Sequence, residues 1–376
     1  MELNEKYGGT DELTPVERED IPEDNPALYD DIEVVVGDNT IRTRQPDSVS
    51  RHRRHWEQYQ RRRKRLIILS CVLTVVVILA SLAWYFYSPV YGYGDLSETV
   101  SSDMINKARS RFTVEEYNDS KEGITLTYHI YIPFEYDRTK HYPLMFCIAD
   151  AASVGRNTEK PLRDNFGGAI WATDSEQEKH PCFVVVPCYP EAVTGQGVGT
   201  FTRYTEITAR MIDSIIRKYH INASEVYATG QGMGASMLLY LAADEPDRFA
   251  SLLLVDGGAE IANMTDLSTT RFISIASGGD DEAIEAQQLI QQKLRSKGVT
   301  YGEITDLDAS APVDELNAAA NDMFRLKHDQ NFITWRAGSV GFSLFFGEQR
   351  MSYRFGYKVD AVRDWIMEDR DIDMII

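Results

Sequence analysis

One uncharged run decides what kind of protein this chain can form. The run, LIILSCVLTVVVILASLAWYFY, begins at Leu66 and ends at Tyr87. As a helix, which rises about 1.5 Å per residue, it covers the roughly 30 Å hydrocarbon core of a bilayer. The apolar core of a signal peptide is shorter, at about 7–15 residues, and lies close to the N-terminus, whereas a long charged segment precedes this run. We therefore predict a single transmembrane helix at 66–87.

The charges on either side of this run indicate its orientation. A basic segment, RHRRHWEQYQRRRKR, begins at Arg51 and ends at Arg65, while the residues after the run, SPVYGYGDLSE, contain no Lys or Arg. Positively charged flanks stay in the cytoplasm. The N-terminus is therefore predicted to lie on the cytoplasmic side of the cell membrane and the C-terminal domain on the extracellular side. The basic segment, 51–65, is expected to contact anionic lipid headgroups.

The segment 1–50 is acidic and has few large apolar residues. Such a composition buries too little apolar surface to offset the entropy lost on ordering, so the segment is predicted to be a disordered cytoplasmic tail. The formal net charge of the whole chain is −19 at pH 7. That acidic balance argues against nucleic acid as a partner.

After a predicted linker at 88–110, apolar strands and amphipathic helices alternate along 111–376. An entry hairpin, RFTVEEYND and ITLTYHIYIP, comes first. Near-continuous apolar strands separated by helices are typical of a mostly parallel sheet covered on both faces. The sequence thus predicts one doubly wound α/β domain, with strands at 143–149, 182–188, 225–230, 250–256, 271–277 and 331–337 and helices at 203–219, 233–246, 281–298 and 358–369.

One predicted strand, EVYATG, ends at Gly230 and runs into GQGMGAS and a helix. This strand–turn–helix context is that of a nucleophile elbow, G-x-S-x-G, in which small residues allow a tight turn around the nucleophile. The position of the serine is occupied by Gly232, which has no side chain to attack a carbonyl carbon.

This turn is one of several motifs that resemble the α/β-hydrolases of the predicted esterase and peptidase type, including feruloyl-esterase-like and polyhydroxybutyrate-depolymerase-like enzymes. The other motifs are YHIYIP, YPLMFCIADAA, GGAIWATDSEQEKHPCFVVVPCYP, EPDRFASLLLVDGG and QRMSYRFGYKVDAVRDW. The resemblance covers 111–369 and implies an α/β-hydrolase fold. Active members hydrolyse ester or peptide bonds with a serine triad; no cofactor or metal ion is implied.

The resemblance also assigns each catalytic role to a position in this chain. These positions are Gly232 for the nucleophile, Arg350 in RMSY for the general base, Asp280 or Asp281 in SGGDDE for the acid, and Ala149 and Asp150 for the oxyanion loop, which in the family reads like H-G-x-G. Arginine stays protonated near neutral pH and cannot act as a base. Without nucleophile and base, a triad retains only binding and oxyanion contributions, so no intact catalytic site is expected.

Other residues are weak substitutes for the missing groups. His328 in KHDQNFITWR superficially resembles an H-D-x-x-x-W-R ending, but its spacing is wrong and it precedes the last apolar strand. Ser236, one helical turn after Gly232, is expected to be structural. Asp150 and Asp280, without a histidine ligand, are poor indicators of a metal or glycosidase site.

Three functions remain open from the sequence. The preferred one is a non-catalytic hydrolase-fold domain that binds an unknown extracellular ligand or protein at the cell surface. The second is an active esterase-like or peptidase-like hydrolase with a relocated site, which fold analogy alone supports. The third is a membrane-linked signalling or assembly protein whose acidic tail contacts cytosolic partners.

The predicted orientation has a direct test. Protease added to intact cells should digest the domain at 111–376 and leave the tail at 1–50 intact, because the basic flank retains the N-terminus inside. Immunoblots against epitopes at each end would report both segments. Protection of the domain together with loss of the tail would reverse the orientation.

Overall fold

The computed structural model describes residues 34–36, 39–41, 46–87, 102–163, 166–193, 202–258, 267–341 and 348–368. The chain divides into two compact units, Met1–Leu82 and Ala83–Ile376. In the first unit, β1 (Val34–Val36) pairs antiparallel with β2 (Asn39–Ile41). A 42-residue helix, α1 (Pro46–Tyr87), begins in this unit and ends five residues beyond it.

Most of the predicted tail at 1–50 lies outside the described residues, and the predicted basic segment at 51–65 lies within α1. The tail, expected to be disordered over 1–50, contains the β1–β2 hairpin and the first turn of α1. The basic segment at 51–65 belongs to the same helix as the apolar run, since Arg, Lys, Glu and Gln all favour helix. Within α1, the stretch His55–Leu82 is long and apolar enough to cross a membrane, and its large apolar side chains are uncovered.

The second unit is built on a nine-stranded sheet with the order β10-β11-β9-β8-β7-β5-β6-β4-β3. β5 to β11 run parallel to one another, while β3 and β4 form the predicted antiparallel entry hairpin, and β4 pairs antiparallel with β6. The strands are β3 (Thr113–Asp119), β4 (Ile124–Tyr131), β5 (Tyr142–Ile148), β6 (Phe183–Cys188), β7 (Ile221–Gln231), β8 (Ser251–Val255), β9 (Phe272–Ser277), β10 (Gly302–Leu307) and β11 (Gln330–Trp335).

Helices cover both faces of this sheet, which confirms the predicted doubly wound, mostly parallel α/β fold. One face packs against helices that contribute residues such as Ile212, Leu238 and Ile290, and the other packs against helices that contribute residues such as Leu316 and Val362. The helices are α2 (Ser102–Arg109), α3 (Lys160–Arg163), α4 (Phe166–Ala169), α5 (Asp174–Lys179), α6 (Tyr204–Tyr219), α7 (Met233–Asp244), α8 (Asp281–Ser296), α9 (Val313–Phe324), α10 (Gln349–Gly356) and α11 (Asp360–Ile366).

Several elements were not predicted, among them α2, β10 and α9. Helix α2 lies inside the predicted linker at 88–110, and its Ile105 and Ala108 are buried in the core, so the domain begins before 111. Strand β10 is an edge strand with the sequence GEITDL, whose exposed charges hide the strand pattern. Helix α9 buries only Leu316, Ala320 and Met323, which leaves a weak apolar repeat in the sequence.

Candidate functional site

The turn between β7 and α7 has the backbone of a nucleophile elbow. Gly232 adopts φ 50° and ψ −113°, a conformation that side chains other than glycine reach only under strain. A Cβ on Gly230 would lie 2.4 Å from the carbonyl carbon of Gly234, and a Cβ on Gly234 would lie 2.3 Å from the carbonyl oxygen of Ile148. Both flanking positions therefore require glycine, as a tight elbow does.

The space above Gly232 is filled by a tyrosine. A Cβ built on Gly232 would lie 2.4 Å from the hydroxyl oxygen of Tyr353, a buried residue of α10. Helix α10 approaches closely because Gly356 packs on Val255, where an added Cβ would lie 2.8 Å from Cγ2. The Tyr353 hydroxyl thus occupies the space that the side chain of a nucleophile would need.

The predicted oxyanion loop also lies beside Gly232. Asp150 follows β5, and its Cβ would be 3.7 Å from a Cβ on Gly232. The Ser153 hydroxyl donates to Asp150 Oδ1 at 3.2 Å, within a 3₁₀ turn at Ala151–Ser153. An oxyanion hole needs donors aimed at a developing negative charge, whereas a carboxylate at this place repels one. Ala149 is buried next to this loop.

The two candidates for the acid differ in position. Asp280 caps α8 by accepting a hydrogen bond from Ala283 N at 3.1 Å, and burial raises the pKa of its carboxyl above the ordinary value. Asp281 is the first residue of α8 and is exposed. Of the two predicted acids, only Asp280 is therefore partly withdrawn from solvent.

Two further carboxyl groups, Glu348 and Asp256, lie around the same loop and were missed by the sequence. Glu348 Oε2 accepts hydrogen bonds from the Ser277 hydroxyl and from Gly279 N, and Oε1 accepts one from Gly338 N at 2.7 Å. This glutamate therefore joins the loops after β9 and β11 to the start of α10. No sequence motif marks it.

Asp256 is the more strained of these two residues. It adopts a positive φ of 47°, and its Oδ1 accepts a hydrogen bond from Ser277 N at 2.9 Å. Its Oδ2 has no hydrogen-bond partner among the described residues. Burial, with smaller contributions from Asp280 and Glu348, raises the pKa of Asp256 well above its ordinary value. An acidic residue directly after the apolar strand ASLLLV was the available signal.

The histidines of the described outer domain lie away from Gly232. His141, His180, His220 and His328 come shortly before the amino ends of parallel strands, so they lie at the edge of the sheet opposite the elbow. His129 lies on β4, three strands and about 14 Å from β7, where its Nε2 is 2.7 Å from Thr158 O. No described histidine is therefore placed to act as a base at Gly232.

The other side chains considered from the sequence have structural roles, are buried or lie outside the described part of the structure. Ser236 donates to the carbonyl oxygens of Gly232 and Gly258, which is a structural role. Arg350 belongs to α10, but its side chain lies outside the described part of the structure. Burial raises the pKa of Cys182 and Cys188 to about 12, so neither offers a thiolate nucleophile. Among the described residues, no group of three His, Cys, Asp or Glu side chains is arranged to hold a metal ion.

The overall geometry is shared with known enzymes. A thermostable esterase superposes with a TM-score of 0.51 and 16% identity, over 69% of this chain and 63% of that chain. The fold is that of an α/β-hydrolase. A ferulic acid esterase has a TM-score of 0.46 at 10% identity, over 68% of this chain and 97% of that chain. A feruloyl esterase module from Clostridium thermocellum has a TM-score of 0.46 at 14% identity, over 70% and 91%.

The superposition on the thermostable esterase confirms the resemblance to esterase-like α/β-hydrolases, and at 16% identity it establishes the fold alone. No protein-family model matches the sequence, and a search of curated proteins returns no match. The α/β-hydrolase domain of this chain spans less than two thirds of the thermostable esterase.

A side chain at Gly232 should destabilise this hydrolase fold by two separable effects. Gly232→Ala is expected to cost about 2–4 kcal/mol, from backbone strain and from overpacking against the Tyr353 hydroxyl. In a Tyr353→Phe background the same substitution should cost less, because the obstructing oxygen is gone. Urea unfolding followed by tryptophan fluorescence would measure the difference.

Gly123→Ala is the matched control, since Gly123 also has a positive φ, of 67°, but faces open space. It should cost about 1 kcal/mol regardless of residue 353. Equal costs for Gly232→Ala with tyrosine and with phenylalanine at 353 would contradict the assignment of the hydroxyl to that space.

Asp256→Asn should stabilise the domain at neutral pH. The pKa of Asp256 is raised on folding, so protonation of its carboxyl stabilises the folded domain relative to the unfolded chain. This contribution to the free energy of unfolding is complete at pH values below the ordinary carboxyl pKa. It is lost as the pH rises through the raised pKa of the folded state. Asparagine keeps the acceptor for Ser277 N, removes the buried charge and tolerates a positive φ.

Unfolding free energies between pH 4 and pH 8 would measure this effect, with an expected gain of about 1–3 kcal/mol near pH 7. The exposed neighbour offers a control, because Asp281→Asn should change little. A variant Asp256→Asn that is less stable than the unmodified domain near pH 7 would show that the charged carboxylate is favourable there.

Proposed function

We propose that this chain is a membrane-anchored, non-catalytic member of the α/β-hydrolase fold. In this proposal the helix at 66–87 anchors it with the N-terminus in the cytoplasm, the basic segment at 51–65 contacts anionic lipid, and the outer domain binds a ligand or protein at the cell surface. The observation that carries the proposal is the Tyr353 hydroxyl, which fills the place of a nucleophile above Gly232.

Two further features support the absence of acyl transfer. The described histidines lie at the wrong edge of the sheet or three strands away, so a hydroxyl at the elbow would have no base among them. The carboxyl groups of Asp150, Asp256, Asp280 and Glu348 make the carboxyl edge unfavourable for a tetrahedral oxyanion.

An active hydrolase with a relocated site is supported by fold likeness alone, which is a weak guide to chemistry. The described cysteines of the domain are buried, and the Ser236 hydroxyl bonds backbone carbonyls. A relocated site would need a nucleophile and a base within about 3 Å of each other. Neither Ser236 nor these cysteines form such a pair with a described histidine.

A hydrolysis assay with p-nitrophenyl acetate tests the proposal. The unmodified chain should hydrolyse the ester at the rate of the heat-denatured sample, and so should Gly232→Ser, because the new hydroxyl meets Tyr353 and Asp150. In the combined variant, Tyr353→Ala makes room above residue 232, Gly232→Ser supplies a nucleophile, Arg350→His supplies a base at its family position and Asp150→Gly removes the carboxylate from the oxyanion loop. This variant is expected to gain weak activity.

The matched control for the unmodified chain is Gly232→Ala, which alters the elbow without adding a nucleophile. In a Gly232→Ala sample that circular dichroism shows to be folded under the assay conditions, the disappearance of ester hydrolysis seen in the unmodified chain would place a working site at the elbow and refute the proposal. Activity that persists in Gly232→Ala would instead favour a relocated site.

A further inference from the structure

A small cavity lies behind the elbow, which we term the elbow cavity. Its volume is about 10 Å³, and its walls come from β5, β6 and β7, from α3 and α4, and from Tyr357. One water molecule needs about 10–15 Å³ of such space. The elbow cavity is therefore of the size that holds a single water molecule, and it is too small for an organic ligand.

Gln231 brings a polar side chain to this cavity that the protein leaves unpaired. The residue is 1% exposed and lines the elbow cavity. Neither its Nε2 nor its Oε1 makes a hydrogen bond to any described residue, and both atoms are shielded from bulk solvent. A buried amide without a partner is costly, and such groups in folded proteins are commonly bonded to ordered water.

The Tyr357 hydroxyl offers an acceptor in the same cavity. Thr229 Oγ1 donates to Leu253 O at 2.9 Å and lies 2.6 Å from Tyr357 Oη. A hydroxyl group has one proton, so with the Thr229 proton on Leu253 O the Tyr357 proton lies on Thr229 Oγ1. Tyr357 Oη therefore has lone pairs available and no further proton to donate.

Gly167 of α4 allows the amide and the hydroxyl to come close together. A Cβ built on Gly167 would lie 2.6 Å from Tyr357 Oη and 2.9 Å from Gln231 Nε2. Because a hydrogen bond to water is about 2.8–3.0 Å long, one water molecule can reach both atoms. The pKa of Tyr357 also reports this proximity, since burial raises the pKa and both Thr229 and Gln231 oppose the rise.

We propose that the elbow cavity is a binding site for one water molecule. The water accepts a hydrogen bond from Gln231 Nε2 and donates one to Tyr357 Oη, which in turn donates to Thr229. Gln231 directly precedes Gly232, and Tyr357 is the C-terminal cap of α10. The water thus joins the elbow to the end of the helix that directs Tyr353 at Gly232.

Unfolding of the full chain in urea, followed by tryptophan fluorescence, distinguishes a hydrated amide from an unpaired one. Gln231→Met keeps the length of the side chain and removes both polar atoms. Since the substitution breaks the water bridge, the equilibrium constant for unfolding should rise about fivefold. If the amide had no partner at all, the substitution would remove an unsatisfied polar group and this constant would fall. A fall would overturn the proposal.

Gln287→Met is the matched control. Gln287 is 4% exposed, and its Nε2 donates directly to Ser274 O at 3.0 Å and to Ser274 Oγ at 3.1 Å. Its loss should raise the unfolding constant by the same factor whether residue 357 is tyrosine or phenylalanine. Gln231→Met should have a smaller effect in Tyr357→Phe, because the acceptor of the bridge is gone. Equal effects of Gln231→Met in both backgrounds would contradict the bridge.

A crystal structure of the full chain that shows ordered solvent would locate the water itself. We expect one solvent peak within about 3.2 Å of both Gln231 Nε2 and Tyr357 Oη, and no such peak in Gln231→Met. A direct hydrogen bond between Gln231 and Tyr357, with no solvent in the elbow cavity, would overturn the proposal even where the two side chains are energetically coupled.

Discussion

The glycine-only contacts between β7, α7 and β5 determine the geometry of everything near the candidate site. Gly234 lies so close to the Ile148 carbonyl, and Gly230 so close to the first turn of α7, that a methyl group at either position would overlap backbone atoms. Because backbone cannot move aside as a flexible side chain can, these contacts fix the direction in which α7 leaves the sheet. They also place Gly232 at the top of the turn with a strained backbone.

Helix α10 completes this arrangement from the other side of the cleft. Glu348 at its start accepts hydrogen bonds from Ser277, Gly279 and Gly338, so it links the loops after β9 and β11 to α10. With α10 held in this way, Tyr353 is directed at Gly232. Burial, together with neighbouring carboxyl groups, makes ionisation of Asp256 less favourable, which is the cause of its raised pKa. Packing and electrostatics at the carboxyl ends of these strands thus favour a closed structural cluster around Gly232.

The sequence was sufficient for the fold and for part of the site. The strands that end at Ile148 and Val255 are continuous runs of apolar residues, which the sequence shows directly. The glycines of the elbow have a spacing that few other turns require. The pattern failed where burial is partial, as in β10 and α9, because charged exposed faces resemble loops. Tyr353 and Glu348 were also missed, since their contacts join segments far apart in the chain and leave no local spacing to recognise.

The central claim is that the hydrolase elbow is retained as architecture while its chemistry is absent. Fluorophosphonate labelling of the full chain, read as intact mass, tests this claim most directly, because the reagent reacts only with an activated serine. The account predicts no adduct on the unmodified chain under conditions that label an active esterase completely. A stoichiometric adduct that maps to one serine of the outer domain would contradict it.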